Sequence, residues 1–346
     1  MSEQQPAGES VGGAGLADPG DARANCGVGV VMDLDGGKHN WVVKDGIELV
    51  ECMEHRGTTG AEENTGDGAG ILLQMPHEFF QAELDAELPE PGAYAAGSLF
   101  FPQDPEATRE LKALVEERFA EEGLEVIAWR PVPTDNSSLG QTALESEPDV
   151  QQVFVRSVEG ETGETFDRRL YVARRVVENA VEDEQPPGTD RFYIVSLDAE
   201  TVVYKGLLTS VQLAEYYPDL EDERLVSTFA MVHARFSTNT LGAWHLAHPY
   251  RNIIHNGEFN TIQGNINWMR ARETDIDHPA FGEDIEKVTP IIDDPDQSDT
   301  ASVDNALELL MKGGRDLPHA LRTLIPEAWR GEAGRTLGRP GAGRGH

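Results

Sequence analysis

The chain has 346 residues, enough to bury a sizeable core in one large domain or two smaller ones. It carries 62 acidic and 28 basic residues, and a formal net charge of −34 repels phosphate backbones and argues against nucleic-acid binding. No stretch approaches the roughly 20 apolar residues that cross a bilayer, so we predict a cytoplasmic protein that does not contact a membrane.

The excess of acid has one further implication. Self-repulsion at this charge is relieved at high ionic strength, where the Debye length falls to ~3 Å at 1 M salt. We therefore expect a halophilic source, and we expect the protein to lose stability when it is diluted into low salt.

Residues 1–25 are small, polar and glycine-rich, without the basic start and apolar centre of a secretory signal. Such a segment cannot build a core, so the sequence predicts a disordered leader. The character changes at Cys26, where CGVGVVMDL predicts a short buried strand that ends in a turn at 35–37.

A helix is predicted over 46–55, with Ile47 and Val50 on its apolar face. Cys52 lies within this helix and is expected to be a small buried hydrophobic residue. The glycine-rich loop at 65–70 lacks the Lys-Ser/Thr pair of a phosphate-binding loop, so no phosphate site is predicted there.

From about 93 to 205 the sequence alternates between strand and helix patterns and predicts a packing unit rather than a chemical one. Asp104 followed by Pro105 predicts a helix start. The other expected elements are strands at 95–101, 126–129 and 153–155, a helix at 166–182, and a hairpin made of 192–197 and 202–208.

The segment from 225 onward is dense in polar residues that follow apolar ones. Its expected elements are a strand within 225–238, a second apolar strand before His255, a helix that starts near Thr261, and helices at 300–312 and 317–325. The last 17 residues, from 330, contain four Arg and six Gly and cannot form a core. They are either a basic tail for an anionic partner or, as we favour, the mark of a lost continuation.

Cys26 is a candidate nucleophile. A thiol attacks only after deprotonation and needs a nearby base. Cleavage between Asn25 and Cys26 would place an α-amine, with a reference pKa of ~7.7–8.0, on the residue that carries the thiol. A cysteine before a glycine-bearing strand is also commonly structural, so both interpretations stay open from this residue alone.

Two further segments carry candidate site residues. Arg235, in the segment that begins at His233, suits bidentate capture of a carboxylate, and a structural ion pair is the alternative. The Asn256 amide beside the Gly257 N–H makes a workable oxyanion hole, and a simple Asn-Gly turn is the alternative.

Four histidines in the same region invite a metal interpretation: His233, His245, His248 and His255. No cysteine accompanies them, and Pro249 interrupts any helix that would align the imidazoles of His245 and His248. We therefore predict no metal site.

Together these segments resemble the class II glutamine amidotransferase domain of the glutamate synthase large subunit. The matching stretches are CGVGVV at 26–31, MEHRGTTGAEENTGDGAGILLQMP at 53–76, HARFSTNTLGAWHLAHPYRNIIHNGEFNTIQGN at 233–265, SDTASVDNALELL at 298–310 and LIPEAW at 324–329. The resemblance covers about 26–329 and implies an α+β fold of the N-terminal-nucleophile hydrolase type. That fold is a four-layer αββα sandwich, which we expect to be incomplete at its C-terminal end. The implied organisation is a leader (1–25), an amidotransferase domain (26–329) and an Arg/Gly-rich tail (330–346).

Carried over by position, the resemblance makes Cys26 the nucleophile that attacks glutamine. It assigns the oxyanion hole to Asn256 and Gly257. The residues that it implies for binding L-glutamine are Arg235 for the α-carboxylate, Asp299 for the α-amino group, and Thr238 and His233 beside them. The loop next to the nucleophile is formed by His55, Arg56 and Gly57.

In the family, this domain precedes a larger synthase portion that contains FMN and an iron–sulfur cluster and aminates 2-oxoglutarate. No cofactor is expected in the present domain, and the implied partners are L-glutamine and that synthase portion. Two alternatives remain: an inactive truncated remnant of the same family, and a histidine-metal hydrolase.

Overall fold

The computed structural model describes residues 26–54, 62, 64–235, 242–256, 259, 262–292 and 297–325. Within these ranges, eight strands form two antiparallel four-stranded sheets, and α-helices lie outside them. The fold is α+β, as predicted. The predicted leader and tail lie outside the described residues.

The first sheet has the strand order β1-β8-β2-β7. Its strands are β1 (Gly27–Met32), β2 (Ala69–Gln74), β7 (Thr201–Gly206) and β8 (Phe229–Ala234). β8 is central and pairs with β1 on one side and with β2 on the other, so Ala234 faces both Gly27 and Ala69. This register brings the start of β1, the start of β2 and the end of β8 to the same end of the sheet.

The second sheet has the order β4-β5-β3-β6. Its strands are β3 (Ala95–Phe101), β4 (Leu124–Pro131), β5 (Asp149–Ser157) and β6 (Tyr193–Asp198). The helices are α1 (Asn40–Cys52), α2 (His77–Glu83), α3 (Pro105–Glu121), α4 (Gln141–Glu145), α5 (Gly163–Glu184), α6 (Gln212–Tyr216), α7 (Ile262–Glu273), α8 (Asp299–Lys312) and α9 (Leu317–Leu324).

Four layers result from how these elements pack. α1 covers one face of the first sheet, and Gly46 permits a close approach, because a Cβ there would lie 2.8 Å from the Cβ of Ala230. The two sheets share one large apolar core. A second core, which we call the outer core, lies between the second sheet and the helices α3 and α5; Phe119 and Leu170 are fully buried in it. The arrangement is the predicted αββα sandwich.

β1 is an edge strand, and it is less buried than the sequence predicts. Its residues Val28, Val30 and Met32 are 40%, 46% and 52% exposed. The other face of the strand packs on α1, where a Cβ at Gly29 would meet Leu49 at 2.4 Å. The face that packs on α1 carries Gly27, Gly29 and Val31. No described element covers the opposite face, which carries the three exposed apolar side chains.

The predicted hairpin at 192–208 is wrong. β6 and β7 belong to different sheets, and the chain crosses between them at a turn in which the Asp198 carboxylate accepts the N–H groups of Glu200 and Thr201 at 2.8 and 3.0 Å. A two-residue gap between apolar strands usually indicates a hairpin. Here each strand pairs with its own sheet instead.

The first helix differs from the prediction in two ways. It begins at Asn40 rather than 46, because burial of Val42 and Val43 outweighs their weak helix propensity. Cys52 is exposed rather than buried. It lies two residues after the buried Val50, which is about 200° around the helix, so it faces solvent.

Several predicted elements are confirmed. The strand at Ala95–Phe101 has the predicted bounds, and α3 starts at Pro105 with the Asp104 side chain accepting the Glu106 N–H at 3.2 Å. The helices α5, α7, α8 and α9 lie within a few residues of their predicted ranges. None of the helices in the described part of the chain is long and apolar enough to cross a membrane.

Candidate active site

Cys26 lies at the start of the edge strand β1. In the ladder with β8, Gly27 faces Ala234 and Val28 faces His233. Continued by one residue, the same register sets Cys26 beside Arg235. The thiol-bearing residue is half-buried, and Met53 packs so closely on Gly27 that a Cβ there would lie 2.8 Å from its sulfur. We call this end of the first sheet, where β1 and β2 begin and β8 ends, the site end.

Arg235 follows the last residue of β8 and contacts the glycine-rich loop at 65–70. Its backbone N–H donates to the Gly68 carbonyl at 2.8 Å, and its Nη1 donates to the Asp67 carbonyl at 3.2 Å. Gly68 has φ +134°, a conformation that side chains rarely adopt, and a Cβ at Gly70 would lie 2.3 Å from the His248 carbonyl. The glycines therefore allow backbone segments to pack together beneath the arginine.

His233, on β8, orients the peptide unit that precedes Asn256. Its Nε2 donates to the His255 carbonyl at 2.9 Å. Burial lowers the pKa of His233 to about 4, so the imidazole is neutral at pH 7 and carries its proton on Nε2. The His255 carbonyl and the Asn256 N–H share one planar peptide, so this bond fixes the backbone from which the exposed Asn256 side chain extends.

A second histidine packs on the first. The rings of His233 and His248 stack with their centroids 4.1 Å apart. Burial, reinforced by the neighbouring His233, lowers the pKa of His248 well below its usual range. Within the described residues the Nδ1 atom of neither ring has a hydrogen-bond partner. The pair is therefore a neutral, desolvated unit under the site end.

The first turn of α8 closes the site from the other side. Asp299 accepts the Phe259 N–H at 2.6 Å and the N–H of Thr300 at 2.7 Å. Thr300 Oγ1 lies 3.3 Å from His255 Nδ1. Residues on both sides of Asn256 are thus fastened to the same helix terminus.

The structure brings five of the predicted site residues to the site end: Cys26, His233, Arg235, Asn256 and Asp299. His233 is fully buried and bonds to the 255–256 peptide. The roles assigned to these residues stay predictions. The remaining predicted residues, His55, Arg56, Gly57, Thr238 and Gly257, lie outside the described residues.

The predicted strand before His255 is not formed. Residues 251–256 make no ladder and run as a loop. Its start is held by Asp304 of α8, whose carboxylate accepts the Asn252 N–H at 2.9 Å and the Arg251 N–H at 3.3 Å. Sequence reasoning missed Asp304. The available signal was a carboxylate within the apolar helix stretch SVDNALELL.

Asp304 belongs to a buried ion network that joins α5, the loop and α8. The side chain of Arg251 contacts Asp304 at 3.3 Å and Glu178 at 3.4 Å. Burial acts to raise the pKa of Glu178, but the guanidiniums of Arg174, Arg175 and Arg251 outweigh it and hold that pKa at about 2. A carboxylate that stays ionised holds the loop arginine in place.

A cavity of about 590 Å³ lies beside this network, between α5, β6 and α8. Its lining includes Tyr193, His245, Tyr250, Ala301 and Asn305. None of the predicted site residues that fall within the described ranges lines it. We do not identify it with the glutamine site, because the groups that would perform the chemistry lie at the site end.

Metal and cluster chemistry do not fit the residues present. Within the described ranges, no group of three or more His, Cys, Asp or Glu side chains is arranged to hold a metal ion. An iron–sulfur cluster needs several cysteine thiolates, usually four, and the chain contains two cysteines in all.

Comparison with known sequences identifies the family. The profile of the glutamine amidotransferases class-II matches residues 26–336. The large chain of the NADPH glutamate synthase of Bacillus subtilis (strain 168) is 43% identical over 317 residues, which cover 91% of this chain and 20% of that protein.

Plant and yeast proteins are similar to the same extent. The chloroplastic ferredoxin-dependent glutamate synthase of Spinacia oleracea is 40% identical over 311 residues (89% of this chain, 19% of that protein). The NADH glutamate synthase of Schizosaccharomyces pombe is 42% identical over 327 residues (92% and 15%). The chain thus spans about a fifth or less of the length of these relatives. By the extent of the profile match, this chain belongs to the class II glutamine amidotransferases.

Proposed function

We propose that the chain hydrolyses L-glutamine to glutamate and ammonia through a thioester on Cys26. The observation that carries the proposal is the hydrogen bond between His233 and His255. It joins β8, the strand that pairs with β1 beside Cys26, to the segment 251–256 that carries Asn256. This contact supports the proposal, because it would bring a nucleophile and an oxyanion donor from distant parts of the sequence to the same end of one sheet.

The nucleophile would be activated by its own backbone. After cleavage between Asn25 and Cys26, the α-amine of Cys26 accepts the thiol proton while the sulfur attacks the carboxamide carbon of glutamine. The family match that begins at residue 26 is consistent with this mature terminus. The resulting α-ammonium then donates that proton to the amide nitrogen as the C–N bond breaks, so that ammonia leaves and a thioester remains.

Asn256 and Gly257 would stabilise the tetrahedral intermediate. Negative charge develops on the former amide oxygen, and a side-chain N–H from Asn256 with the backbone N–H of Gly257 would donate to it. The same donors serve the second step, in which water, deprotonated by the α-amine, attacks the thioester and releases glutamate.

The α-carbon groups of the substrate would be held by opposite charges. Arg235 would pair with the α-carboxylate and Asp299 with the α-ammonium, with Thr238 and His233 beside them. Asp299 also accepts the backbone N–H groups of Phe259 and Thr300, at 2.6 and 2.7 Å.

We further propose that the ammonia serves glutamate synthesis, since the relatives are named as glutamate synthases. The partner would be a synthase portion that contains FMN and an iron–sulfur cluster and aminates 2-oxoglutarate. The chain spans about a fifth of those proteins, so this portion would have to be supplied by a longer polypeptide or a separate one.

The second candidate is an inactive remnant of the family. The exposed apolar face of β1, with Val28, Val30 and Met32, favours it, because an edge strand of this kind is normally covered or paired. A remnant would lack a cooperative thermal transition in high salt, whereas a functional domain would unfold in one sharp step.

The test of the proposed function is glutamine hydrolysis by the purified protein in molar KCl, followed as ammonia release. We expect Cys26→Ser to lower kcat by at least about 10³-fold. Cys52→Ser is the matched control and should keep wild-type activity, because Cys52 lies exposed on α1. Equal activity in the two variants would contradict the proposal.

A further inference from the structure

The loop that carries Asn256 has no regular structure of its own. Residues 251–256 belong to neither helix nor sheet, so the position of Asn256 depends on contacts made by other elements. A donor that stabilises a transition state must be held to within about an ångström of its working position. The contacts that hold this loop are therefore part of the catalytic design.

Most of those contacts come from α8. Asp304 accepts the backbone N–H groups of Arg251 and Asn252, and Thr300 Oγ1 lies 3.3 Å from His255 Nδ1. Asp299 accepts the Phe259 N–H, three residues after Asn256. The helix thus holds the loop before, beside and after the proposed oxyanion donor.

The anchor at Asp304 is enclosed. Its side chain has no exposure to solvent, and it also accepts a bond from Arg251 Nη1 at 3.3 Å. Because Arg251 pairs in turn with Glu178 of α5, the start of the loop is locked between two helices. On the far side, His233 holds the His255 carbonyl. The loop has little freedom to shift unless one of these contacts is removed.

We propose that Asp304 and Thr300 are positioning residues that hold Asn256 in place to bind the oxyanion of the glutamine reaction. The proposal rests on the proposed glutaminase function. It assigns to α8 a role in the transition state that is separate from the binding of the α-ammonium by Asp299.

Asp304→Asn is the main test. The amide keeps the size of the carboxylate but loses its charge and offers an N–H where acceptors are needed. We expect kcat for glutamine to fall about 10- to 100-fold while KM changes less than about 3-fold. The alkylation rate of Cys26 by iodoacetamide should stay unchanged, because the described hydrogen bonds of Asp304 go to Arg251 and Asn252 and not to Cys26.

Asp219→Asn is the matched control. Asp219 is also buried and accepts bonds from two nitrogens of Arg130 at 2.7 Å and from the Tyr204 hydroxyl at 3.1 Å, contacts that do not involve the 251–256 loop. It should lower the melting temperature without lowering kcat of the folded enzyme. If both variants lose kcat equally, or if Asp304→Asn keeps wild-type kcat, the positioning role is refuted.

Thr300 supplies a milder variant, should Asp304→Asn fail to fold. Thr300→Val removes the hydroxyl near His255 at constant shape, and Thr300→Ser restores it. We expect the valine variant to lose kcat about 5- to 10-fold and the serine variant to recover it. A valine variant with wild-type kcat would overturn the role of Thr300.

Absence of glutamine hydrolysis by the wild-type protein would contradict the proposed function itself. In that event, a separate readout tests whether α8 anchors the 251–256 loop. Hydrogen–deuterium exchange of a peptide covering 251–259 should then be faster in Asp304→Asn than in Asp219→Asn. Equal exchange in the two variants would refute the anchoring by α8.

Discussion

The outer core and the site end of the molecule are built by different means. The outer core consists of apolar side chains at regular helix and strand spacing, such as Phe119 of α3 and Leu170 of α5. The site end buries polar groups instead: His233, His248 and Lys205. Lys205 donates to the His245 carbonyl at 3.0 Å, and burial lowers its pKa well below the usual range.

We infer from this difference that the outer core serves mainly stability and that the site end serves the proposed function. The outer core gains free energy from apolar burial and needs no special geometry beyond close packing. The site end buries neutral histidines, one of which orients a loop peptide. Protonation of these buried imidazoles at low pH would lower the stability of the folded protein. Three predictions separate the two regions.

The largest effect is expected in the outer core. Phe119 is fully buried there, and Phe119→Ala should lower the free energy of unfolding by about 3–5 kcal/mol. Activity per folded molecule should be unchanged, because the side chain lies far from the site end. Denaturant unfolding and glutamine hydrolysis below the transition measure the two quantities.

Val158→Ala is the control for that prediction, since Val158 is 67% exposed and its truncation should cost little. A large loss of kcat in Phe119→Ala, measured where the variant is still folded, would show that the two regions are not separable in the way described.

The site end should be sensitive to acid. The pKa of folded His233 is about 4, below that of an unfolded histidine near 6.5, so the unfolded state binds more protons between those values. Its contribution to stability is therefore present above pH 6.5 and is lost as the pH falls toward 4. The loss should reach about 3 kcal/mol.

His233→Gln isolates this effect, because a glutamine amide can still donate to the His255 carbonyl but does not titrate. Between pH 6.5 and 4, the slope of unfolding free energy against pH should be smaller in the variant by up to about 1.4 kcal/mol per pH unit. Identical slopes would mean that the folded imidazole already carries a proton in this range.

The smallest and most discriminating effect is expected when alanine replacements of two helix-capping residues are compared. Asp104 caps α3 in the outer core, and Ser298 caps α8 by accepting the Ala301 N–H at 3.2 Å. Replacing either residue by alanine should cost about 1 kcal/mol. Ser298→Ala should also lower kcat several-fold, because it loosens the turn that carries Asp299 and Thr300 and removes the 2.7 Å bond to Tyr250. Equal kcat in both variants would contradict the role given to α8.

Local patterns predicted the outer region well. The Asp104-Pro105 pair marks the start of α3, and a short, nearly continuous apolar run gives the Ala95–Phe101 strand its bounds. These features depend on neighbours in sequence. The assignment of β6 and β7 to different sheets does not, and the hairpin predicted from 192–197 and 202–208 is wrong.

At the site end, the family resemblance predicts the reactive residues but not the contacts that hold them. Cys26, Arg235 and Asn256 each carry a recognisable chemical group. The bond from His233 to His255, and those from Asp304 to the loop, join residues 22 to 53 positions apart, and no periodicity reports such contacts. The prediction for Cys52 is wrong because this residue lies about 200° around the helix from the buried Val50 and therefore faces solvent.

The central claim is that Cys26 is the nucleophile of a glutamine amidotransferase. It is tested most directly by treating the purified protein with a diazoketone analogue of glutamine and mapping the adduct by intact-mass and peptide mass spectrometry. The account predicts one adduct per chain, on a Cys26 that is itself the N-terminal residue, with Cys52 unmodified. An unreactive Cys26, or an adduct on Cys52 instead, would contradict it.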